Sequence, residues 1–204
     1  MKSIFQKLFK TKFAPITIVS GLPRSGTSMT MKMLDAGGIP PLTDHIRTAD
    51  EDNPKGYYEF ERAKKLKQGD TDWLPQAQGK AVKLIGALLV ELPKGYNYRV
   101  LFMRRKIEEI LASQEKMLER RGEGKKVDDE AMAALFKKHI KQVKNWMDNQ
   151  PNLRYIDVDY NAAIQDPLPQ AKKINQFLGG DLDEQAMAAV VDPSLYRQRK
   201  STAD

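Results

Sequence analysis

A short strand, a glycine-bounded loop and a helix at residues 16–37 constrain the fold of this chain more than any other feature. The strand is the β-branched run Ile16–Val19, which ends in Ser20-Gly21 as a buried parallel strand does. A helix is predicted from Thr27 to Ala36, because Gly37-Gly38 closes it and two prolines follow shortly after. The loop between them reads GLPRSGTS and is suited to holding a phosphate group of a nucleotide.

The loop has the glycine spacing of a Walker A motif but a different chemistry. Gly21 and Gly26 permit a backbone whose N–H groups converge on an anion, and the helix adds its positive end. Thr27 stands where a P-loop NTPase has its lysine, so bridging of the β- and γ-phosphates is lost. The strand YRVLFM runs into Arg104-Arg105 rather than the aspartate that helps to hold magnesium. The loop is therefore predicted to bind phosphate and to be poorly suited to metal-dependent ATP or GTP hydrolysis.

Strands and helices alternate along the rest of the chain. Further strands are predicted at 98–103, at 153–158 and at the start of an apolar segment, 81–89, that runs into a helix. Helices are predicted at about 107–121, 129–147, 167–178 and 183–191, the third of them starting at Asp166-Pro167 with an N-cap carboxylate. Such alternation favours an α/β domain with a parallel sheet, whose ligands bind beyond the carboxyl ends of the strands.

Length and composition are those of an ordinary globular chain with a positive net charge. The 204 residues fit one domain, 1–204, with a basic N-terminal arm at 1–14. The net charge of +7 attracts anions, but no basic tract with interleaved aromatic residues predicts nucleic-acid binding. No apolar run is long enough for a signal peptide or a membrane span, so no stable membrane insertion is expected. Cysteine is absent, which fits a reducing compartment, and we expect a cytoplasmic protein.

The loop resembles the 5′-phosphosulfate-binding loop of the sulfotransferases that use 3′-phosphoadenosine 5′-phosphosulfate (PAPS). The form Pro-Arg-Ser-Gly-Thr is similar to that of tyrosylprotein and many bacterial sulfotransferases. The resemblance implies that Arg24 contacts the transferring sulfonate and the bridging oxygen. It implies a nucleotide-binding role for the whole set Pro23, Arg24, Ser25, Gly26, Thr27 and Ser28. It also implies a P-loop-type central parallel sheet flanked by helices in a three-layer α/β/α fold.

A second element resembles the 3′-phosphate site of the same family. That site is an arginine at the end of a strand with a serine eight residues later on the following helix. Arg105 follows YRVLFM here, and Ser113 lies eight residues on. Lys106-Ile107 stands in place of the usual Asp/Asn-Pro, and Arg104 is the alternative to Arg105 if the register differs by one residue. We interpret Arg105 and Ser113 as ligands of a 3′-phosphate.

Weaker similarities extend the resemblance over most of residues 16–180. Residues 159–160, 166–167 and 176–179 resemble the later strand, Asp-Pro helix and Phe-Leu-Gly ending of the family. Residues 53–59 resemble a segment of bacterial relatives. The C-terminal Arg-Lys-Gly-x-x-Gly element of cytosolic sulfotransferases is absent, so the role of the basic residues Arg197, Arg199 and Lys200 is left open.

The catalytic base is the least determined part of the site. Cytosolic sulfotransferases have a histidine two residues after a lysine, whereas the comparable stretch here is Lys83-Leu84-Ile85. Tyrosylprotein sulfotransferases use a glutamate, so Glu59 ranks first, His45 second and Asp44 third. Lys83 either assists charge on the sulfonate or caps a strand end. His139 falls beside the apolar stripe of its helix and is interpreted as structural.

The resemblance thus implies sulfonate transfer from PAPS to a hydroxyl or amine acceptor by a metal-independent in-line displacement. The acceptor is a small molecule, peptide or glycan, and its pocket is expected to be shaped by residues 40–79 and 106–150. One alternative is a kinase-like P-loop enzyme, which would need magnesium and a nucleoside triphosphate. Another is a non-catalytic protein that binds the nucleotide but has lost the base. The oligomeric state is not predicted.

Overall fold

A computed structural model describes residues 14–44, 46, 56–124 and 127–196 and contains a parallel four-stranded sheet. The strands are β1 (Ile16–Gly21), β2 (Ala81–Lys83), β3 (Tyr98–Arg104) and β4 (Leu153–Asp159). Their order across the sheet is β2-β1-β3-β4, and each neighbouring pair is parallel. The predicted strands and their parallel arrangement are therefore confirmed.

Helices connect these strands and cover both faces of the sheet. They are α1 (Thr27–Ala36), α2 (Glu61–Lys64), α3 (Leu74–Ala77), α4 (Ile107–Arg120), α5 (Asp129–Asp148), α6 (Tyr160–Gln165), α7 (Pro167–Leu178) and α8 (Glu184–Ala189). Short 3₁₀ helices occupy Leu66–Gln68, Gly86–Glu91 and Pro193–Leu195. None of the described helices is both long enough and apolar enough to cross a membrane.

Two hydrophobic clusters lie on opposite faces of the sheet, because successive side chains of a strand point in opposite directions. In β3, Val100 and Phe102 belong to one cluster, whereas Leu101 and Met103 belong to the other. The first cluster also receives buried residues of α3 and α5, and the second receives residues of α1, α7 and α8. Two helical layers thus enclose the sheet, as the three-layer α/β/α prediction requires.

The structure corrects the prediction in two places around β4 and α7. The short helix α6 follows β4 directly and was not predicted; Asp159 caps it by accepting a hydrogen bond from the Ala162 amide at 3.0 Å. Helix α7 begins at Pro167 as predicted, but the Asp166 carboxylate makes no capping hydrogen bond. The backbone amide of Asp166 instead donates to the Ala162 carbonyl and closes α6. Asp166 therefore serves mainly to end one helix where the next begins.

The carboxyl ends of β1, β2 and β3 meet at one edge of the sheet. The phosphate loop follows β1, Lys83 is the last residue of β2, and Arg105 follows β3. Residues 40–79 approach this edge through Tyr57 and Glu59 and contain the short helices α2 and α3. His45 and residues 47–55 of that segment lie outside the described residues, as do the N-terminal arm to residue 13 and Arg197, Arg199 and Lys200.

Candidate active site

A cavity of about 470 Å³ opens at this edge of the sheet, and we call it the main cavity. It brings together most of the residues that the sequence predicted to form a site. Its lining includes Pro23, Arg24, Gly26, Thr27, Ser28, Glu59, Lys83, Arg105 and Ser113. Ser25 is fully buried beneath the loop, and neither Asp44 nor Arg104 is part of the lining. Of the two neighbouring arginines, Arg105 therefore lines the main cavity and Arg104 does not.

The two glycines of the phosphate loop are required by close packing. A Cβ atom on Gly21 would lie 2.7 Å from the Ser25 Oγ and 3.0 Å from the Met103 carbonyl oxygen. Gly26 has φ +99°, and a Cβ atom there would lie 2.3 Å from a ring carbon of Tyr160. Both positions combine a backbone conformation that favours glycine with a lack of space. The two glycines therefore allow the loop to pack closely against Met103 and Tyr160 where it lines the main cavity.

Several donors of this loop fit an anion. Arg24 has φ +67°, a left-handed conformation that is unusual for a residue with a side chain and is often found at functional sites. The Ser25 hydroxyl is buried and has no hydrogen-bond partner among the residues that the structure describes. The amides of Gly26 and Thr27 donate to no carbonyl within the described chain. The first amide of this turn that donates to a backbone carbonyl is that of Thr30, which bonds to Gly26. The start of α1 thus presents backbone N–H groups of the kind that bind phosphate.

Arg105 is held in place by its neighbours at the end of β3. Its Nε donates to Glu109 at 3.0 Å, and one of its terminal nitrogens donates to the Arg24 carbonyl at 3.0 Å. The guanidinium lies 4.4 Å from the ring centre of Tyr160 and 5.7 Å from that of Tyr196. Ion pairing and cation–π contacts together orient this side chain toward the cavity.

Glu109 is the centre of the network behind Arg105, and its side chain is 0% exposed. It accepts hydrogen bonds from the Tyr196 hydroxyl at 2.6 Å and from Asn161 Nδ2 at 2.9 and 3.0 Å. Although burial raises the pKa of Glu109, the hydrogen bonds from Tyr196, Asn161 and Arg105 outweigh it and lower the pKa. Glu109 is therefore a carboxylate at neutral pH and fully supplied with donors.

The sequence prediction missed this network, which we call the arginine clamp: Glu109, Tyr160, Asn161 and Tyr196 around Arg105. One signal was present, because Arg105 and Glu109 are four residues apart, the spacing of an ion pair on one helical turn. Asn161 and Tyr196 lie 52 and 87 residues from Glu109, and no local pattern connects them to it. Only the fold brings them together.

Arg24 links the two predicted phosphate elements. Its Nε donates to the Ser113 Oγ at 3.0 Å, while its carbonyl accepts from Arg105. The sequence assigned Arg24 to the sulfonate, whereas its side chain lies beside the pair assigned to the 3′-phosphate. Ser113 is two helical turns into α4 and is buried, so it can orient Arg24 from beneath. The three residues form one continuous donor surface.

Lys83 crosses from the end of β2 to the opposite wall of the main cavity. Its ammonium donates to the Tyr57 carbonyl at 2.9 Å and to the Ser28 Oγ at 3.2 Å. It also lies 3.6 Å from a Glu59 carboxylate oxygen. Because Ser28 is in the first turn of α1, Lys83 places a positive charge next to the phosphate loop. This arrangement fits a role in neutralising a bound anion better than a role as a strand cap.

The carboxylates proposed as the base are both engaged in other contacts. Glu59 pairs with Lys64 at 2.7 Å as well as with Lys83, which stabilises its negative charge. Burial lowers the pKa of Lys64, but hydrogen bonds to Glu59 and Glu61 outweigh it and raise the pKa. Asp44 accepts hydrogen bonds from the amides of Glu61 and Ile46, at 2.6 and 3.1 Å, and so organises the entry to α2. Neither position leaves a carboxylate oxygen dedicated to proton transfer.

The main cavity is strongly basic. Eight cationic side chains line it within the described chain: Arg24, Lys32, Lys64, Lys83, Arg105, Lys116, Arg120 and Arg121. Two carboxylates, those of Glu59 and Asp192, oppose them there. Such a surface attracts a ligand with several negative charges. Among the described residues, no group of three or more His, Asp or Glu side chains could hold a metal ion.

Comparisons with known proteins identify the family of this chain and its fold. The model of the sulfotransferase domain family matches residues 15–203. The sulfotransferase domain of the Synechococcus PCC 7002 olefin synthase superposes with a TM-score of 0.59 at 16% identity, covering 93% of this chain and 90% of that one. The sulfotransferase domain of the curacin biosynthetic pathway superposes with a TM-score of 0.54 at 14% identity, covering 92% of each chain. These two structures are similar in fold. No individually curated protein matches the chain.

Proposed function

This chain belongs to the sulfotransferase family, and on that premise we propose that it transfers a sulfonate group from PAPS to a hydroxyl or amine acceptor. The observation that carries the proposal is the bridge formed by Arg24. It joins the phosphate loop after β1 to Arg105 and Ser113 after β3. A ligand with phosphates at both the 5′ and 3′ positions of one ribose fits two anion sites that share a wall.

The residues of the chain have distinct roles in this proposal. The loop amides and the hydroxyls of Ser25 and Thr27 bind the 5′-phosphate, and Arg105 with Ser113 binds the 3′-phosphate. Lys83 and Arg24 stabilise the negative charge on the sulfonate and on the departing phosphate. PAPS supplies the activated sulfonate, and its role is that of a substrate. The cytoplasmic location and the single-domain organisation stay predictions.

The displacement needs positioning and charge more than covalent chemistry by the protein, as in phosphoryl transfer. The acceptor oxygen forms a bond to sulfur while the bond from sulfur to the bridging oxygen breaks. The electron pair of that bond stays on the 5′-phosphate of the product, 3′-phosphoadenosine 5′-phosphate (PAP). The acceptor proton passes to a base. The cationic lining of the main cavity supplies the charge that a metal would otherwise provide.

Calorimetric titration with PAP in buffer containing a chelator tests this proposal. We expect binding without added metal, and weaker binding of ADP, which lacks the 3′-phosphate. Arg104→Gln is the matched control for Arg105→Gln, because the two arginines are neighbours and only Arg105 faces the main cavity. Absence of PAP binding by folded protein, or tight binding of ATP only with magnesium, would contradict the proposal and favour the kinase-like alternative.

One observation favours the second candidate, a protein that binds the nucleotide without turnover. Ile85 occupies the place of the histidine in the cytosolic family members, and Glu59 is held by two lysines. PAP binding together with no transfer of labelled sulfonate to any of a set of alcohols and amines would support this candidate. Transfer to one of them would exclude it.

A further inference from the structure

A second groove, which we call the side groove, lies next to the main cavity. Ile85, Gly86 and Ala87 form one wall, and side chains of α5 form the other. Its volume is about 500 Å³. It shares Ile85 and residues 21–23 of the phosphate loop with the main cavity. The two spaces therefore adjoin at the start of the phosphate loop, residues 21–23.

A histidine reaches into the side groove from α5. The Nε2 atom of His139 lies 3.1 Å from the position that a Cβ atom of residue 86 would occupy. The Gly21 carbonyl oxygen lies 3.3 Å from the same position. Any side chain at residue 86 would therefore displace the imidazole or the end of β1. Gly86 allows His139 to approach the first residue of the phosphate loop.

His139 is better placed to accept a proton than the carboxylates considered above. It is partly exposed, and within the described chain its side chain takes part in no hydrogen bond or ion pair. Glu59, by contrast, is paired with two lysines, and Asp44 is bonded to two backbone amides. Imidazole is also the side chain that most often acts as a general base in enzymes. The sequence predicts a structural role for His139 from its position beside an apolar stripe. It does not predict that His139 lies next to Gly86.

The side groove is lined mostly by apolar groups, with Lys138, His139 and Gln142 as its polar members, and two of its aliphatic side chains are exposed. Ile85 and Leu135 are 51% and 54% exposed, which is unusual for large aliphatic side chains, and Phe136 lies next to Leu135 on α5. Adjacent exposed apolar side chains of this kind mark a ligand site or an interface. Because the groove shares Ile85 and residues 21–23 with the main cavity, its occupant would have one end beside the phosphate loop.

We propose that His139 is the general base and that the side groove holds the acceptor, an alcohol with an apolar body. The inference rests on the proposed sulfonate transfer. The acceptor hydroxyl forms a bond from oxygen to sulfur, the sulfur–oxygen bond to the 5′-phosphate breaks, and PAP leaves with that electron pair. The hydroxyl proton moves to His139 Nε2 and is then released to water. Ile85, Leu135 and Phe136 bind the apolar body and exclude water from the reacting oxygen.

Two readouts with 2-naphthol as the probe test this inference in the full chain. The first is transfer of labelled sulfonate from PAPS to 2-naphthol. We expect kcat to fall by about 100-fold or more in His139→Gln, the usual contribution of a general base, with PAP affinity unchanged. Added imidazole should partly restore turnover in His139→Ala. Lys141→Ala is the matched control, since Lys141 is exposed on the same helix and does not line the groove.

The second readout is the proton resonance of the imidazole. The chain has two histidines, so His139→Gln assigns the signal. We expect 2-naphthol to shift the His139 resonance in PAP-saturated protein and to leave that of His45 unchanged. No shift together with no transfer, or transfer that survives in His139→Gln with the same pH profile, would overturn the inference. Failure of the proposed function is distinct, because the wild-type protein would then not bind PAP in the chelator-containing titration.

Discussion

The arginine clamp and the side groove differ in how their functional side chains are held. Arg105 is fixed by a buried carboxylate, two aromatic rings and a backbone carbonyl. In the side groove, His139 makes no hydrogen bond within the described chain, and its neighbours Ile85 and Leu135 are half exposed. The clamp is complete without a ligand, whereas the groove presents surface that a ligand would cover.

Under the proposed function, this difference separates donor binding from acceptor binding in physical terms. A charged group with fixed donors loses little entropy when a phosphate binds, so the clamp favours affinity for one defined anion. An apolar groove gains energy in proportion to the area it buries and places few directional demands on its ligand. We therefore expect the nucleotide to be recognised strictly and the acceptor more loosely. The predictions that follow test this division, beginning with the largest effect.

Replacing Gly26 by alanine should disrupt the donor side most. Its Cβ atom would meet the Tyr160 ring at 2.3 Å, so the loop amides must move away from the phosphate. Loss of two charge-assisted hydrogen bonds of about 1.5 kcal/mol each lowers affinity about 100-fold. PAP calorimetry measures the effect. Gly38→Ala is the control, because Gly38 has a similar φ of +103° with nothing within 4 Å of the added atom; equal losses of PAP affinity in the two variants would refute the packing argument.

Replacing Glu109 by glutamine should loosen the clamp. The variant removes the charge that pairs with Arg105 and turns one oxygen into a donor facing Asn161 or Tyr196. We expect unfolding free energy to fall by about 1–3 kcal/mol, the cost of a mismatched buried hydrogen bond. PAP affinity should fall by about threefold to tenfold, or roughly 1 kcal/mol, because Arg105 loses its orientation. Tighter PAP binding in this variant would show that removing the negative charge of Glu109 raises affinity more than the lost orientation of Arg105 lowers it.

The pH dependence of stability should report the same carboxylate. Because the hydrogen bonds from Tyr196, Asn161 and Arg105 lower the pKa of Glu109 in the folded protein, its contribution is fully present above the ordinary carboxyl pKa. It is lost as the pH falls through the lower folded-state pKa. Urea unfolding of wild type and Glu109→Gln should thus differ at pH 7 and converge in strong acid. A difference that stays constant down to pH 2 would contradict this assignment.

Replacing Ile85 by serine should give the smallest change in stability and affect the acceptor alone. A half-exposed side chain contributes little to folding, so unfolding free energy should change by less than about 0.5 kcal/mol. Affinity for 2-naphthol should fall by about threefold to tenfold for the loss of roughly 1 kcal/mol of apolar contact. PAP affinity should not change. A matching loss of PAP affinity would show that the two spaces are not separate in function.

The sequence predicts the residues that line the main cavity better than those of the side groove, and the reason is geometric. The phosphate loop and Arg105 each follow a predicted strand, and parallel strands bring such positions to one edge; Ser113 lies on the helix that follows β3. His139 and Gly21 both lie close to Gly86, which precedes His139 by more than 50 residues in a different element. Asn161 and Tyr196 reach Glu109 only because the fold places α6 and residue 196 beside α4. The local periodicity of the sequence does not predict such long-range contacts.

The most direct test of the central claim compares two ligands and two proteins in metal-free calorimetry. PAP and adenosine 5′-phosphate differ only in the 3′-phosphate, and wild type is compared with Arg105→Gln. We predict that wild type prefers PAP by about tenfold to 100-fold, the value of one or two charge-assisted hydrogen bonds. In Arg105→Gln most of this preference should disappear, while affinity for adenosine 5′-phosphate stays the same. Equal affinities of wild type for the two nucleotides, or an unchanged preference in Arg105→Gln, would contradict a 3′-phosphate site at Arg105.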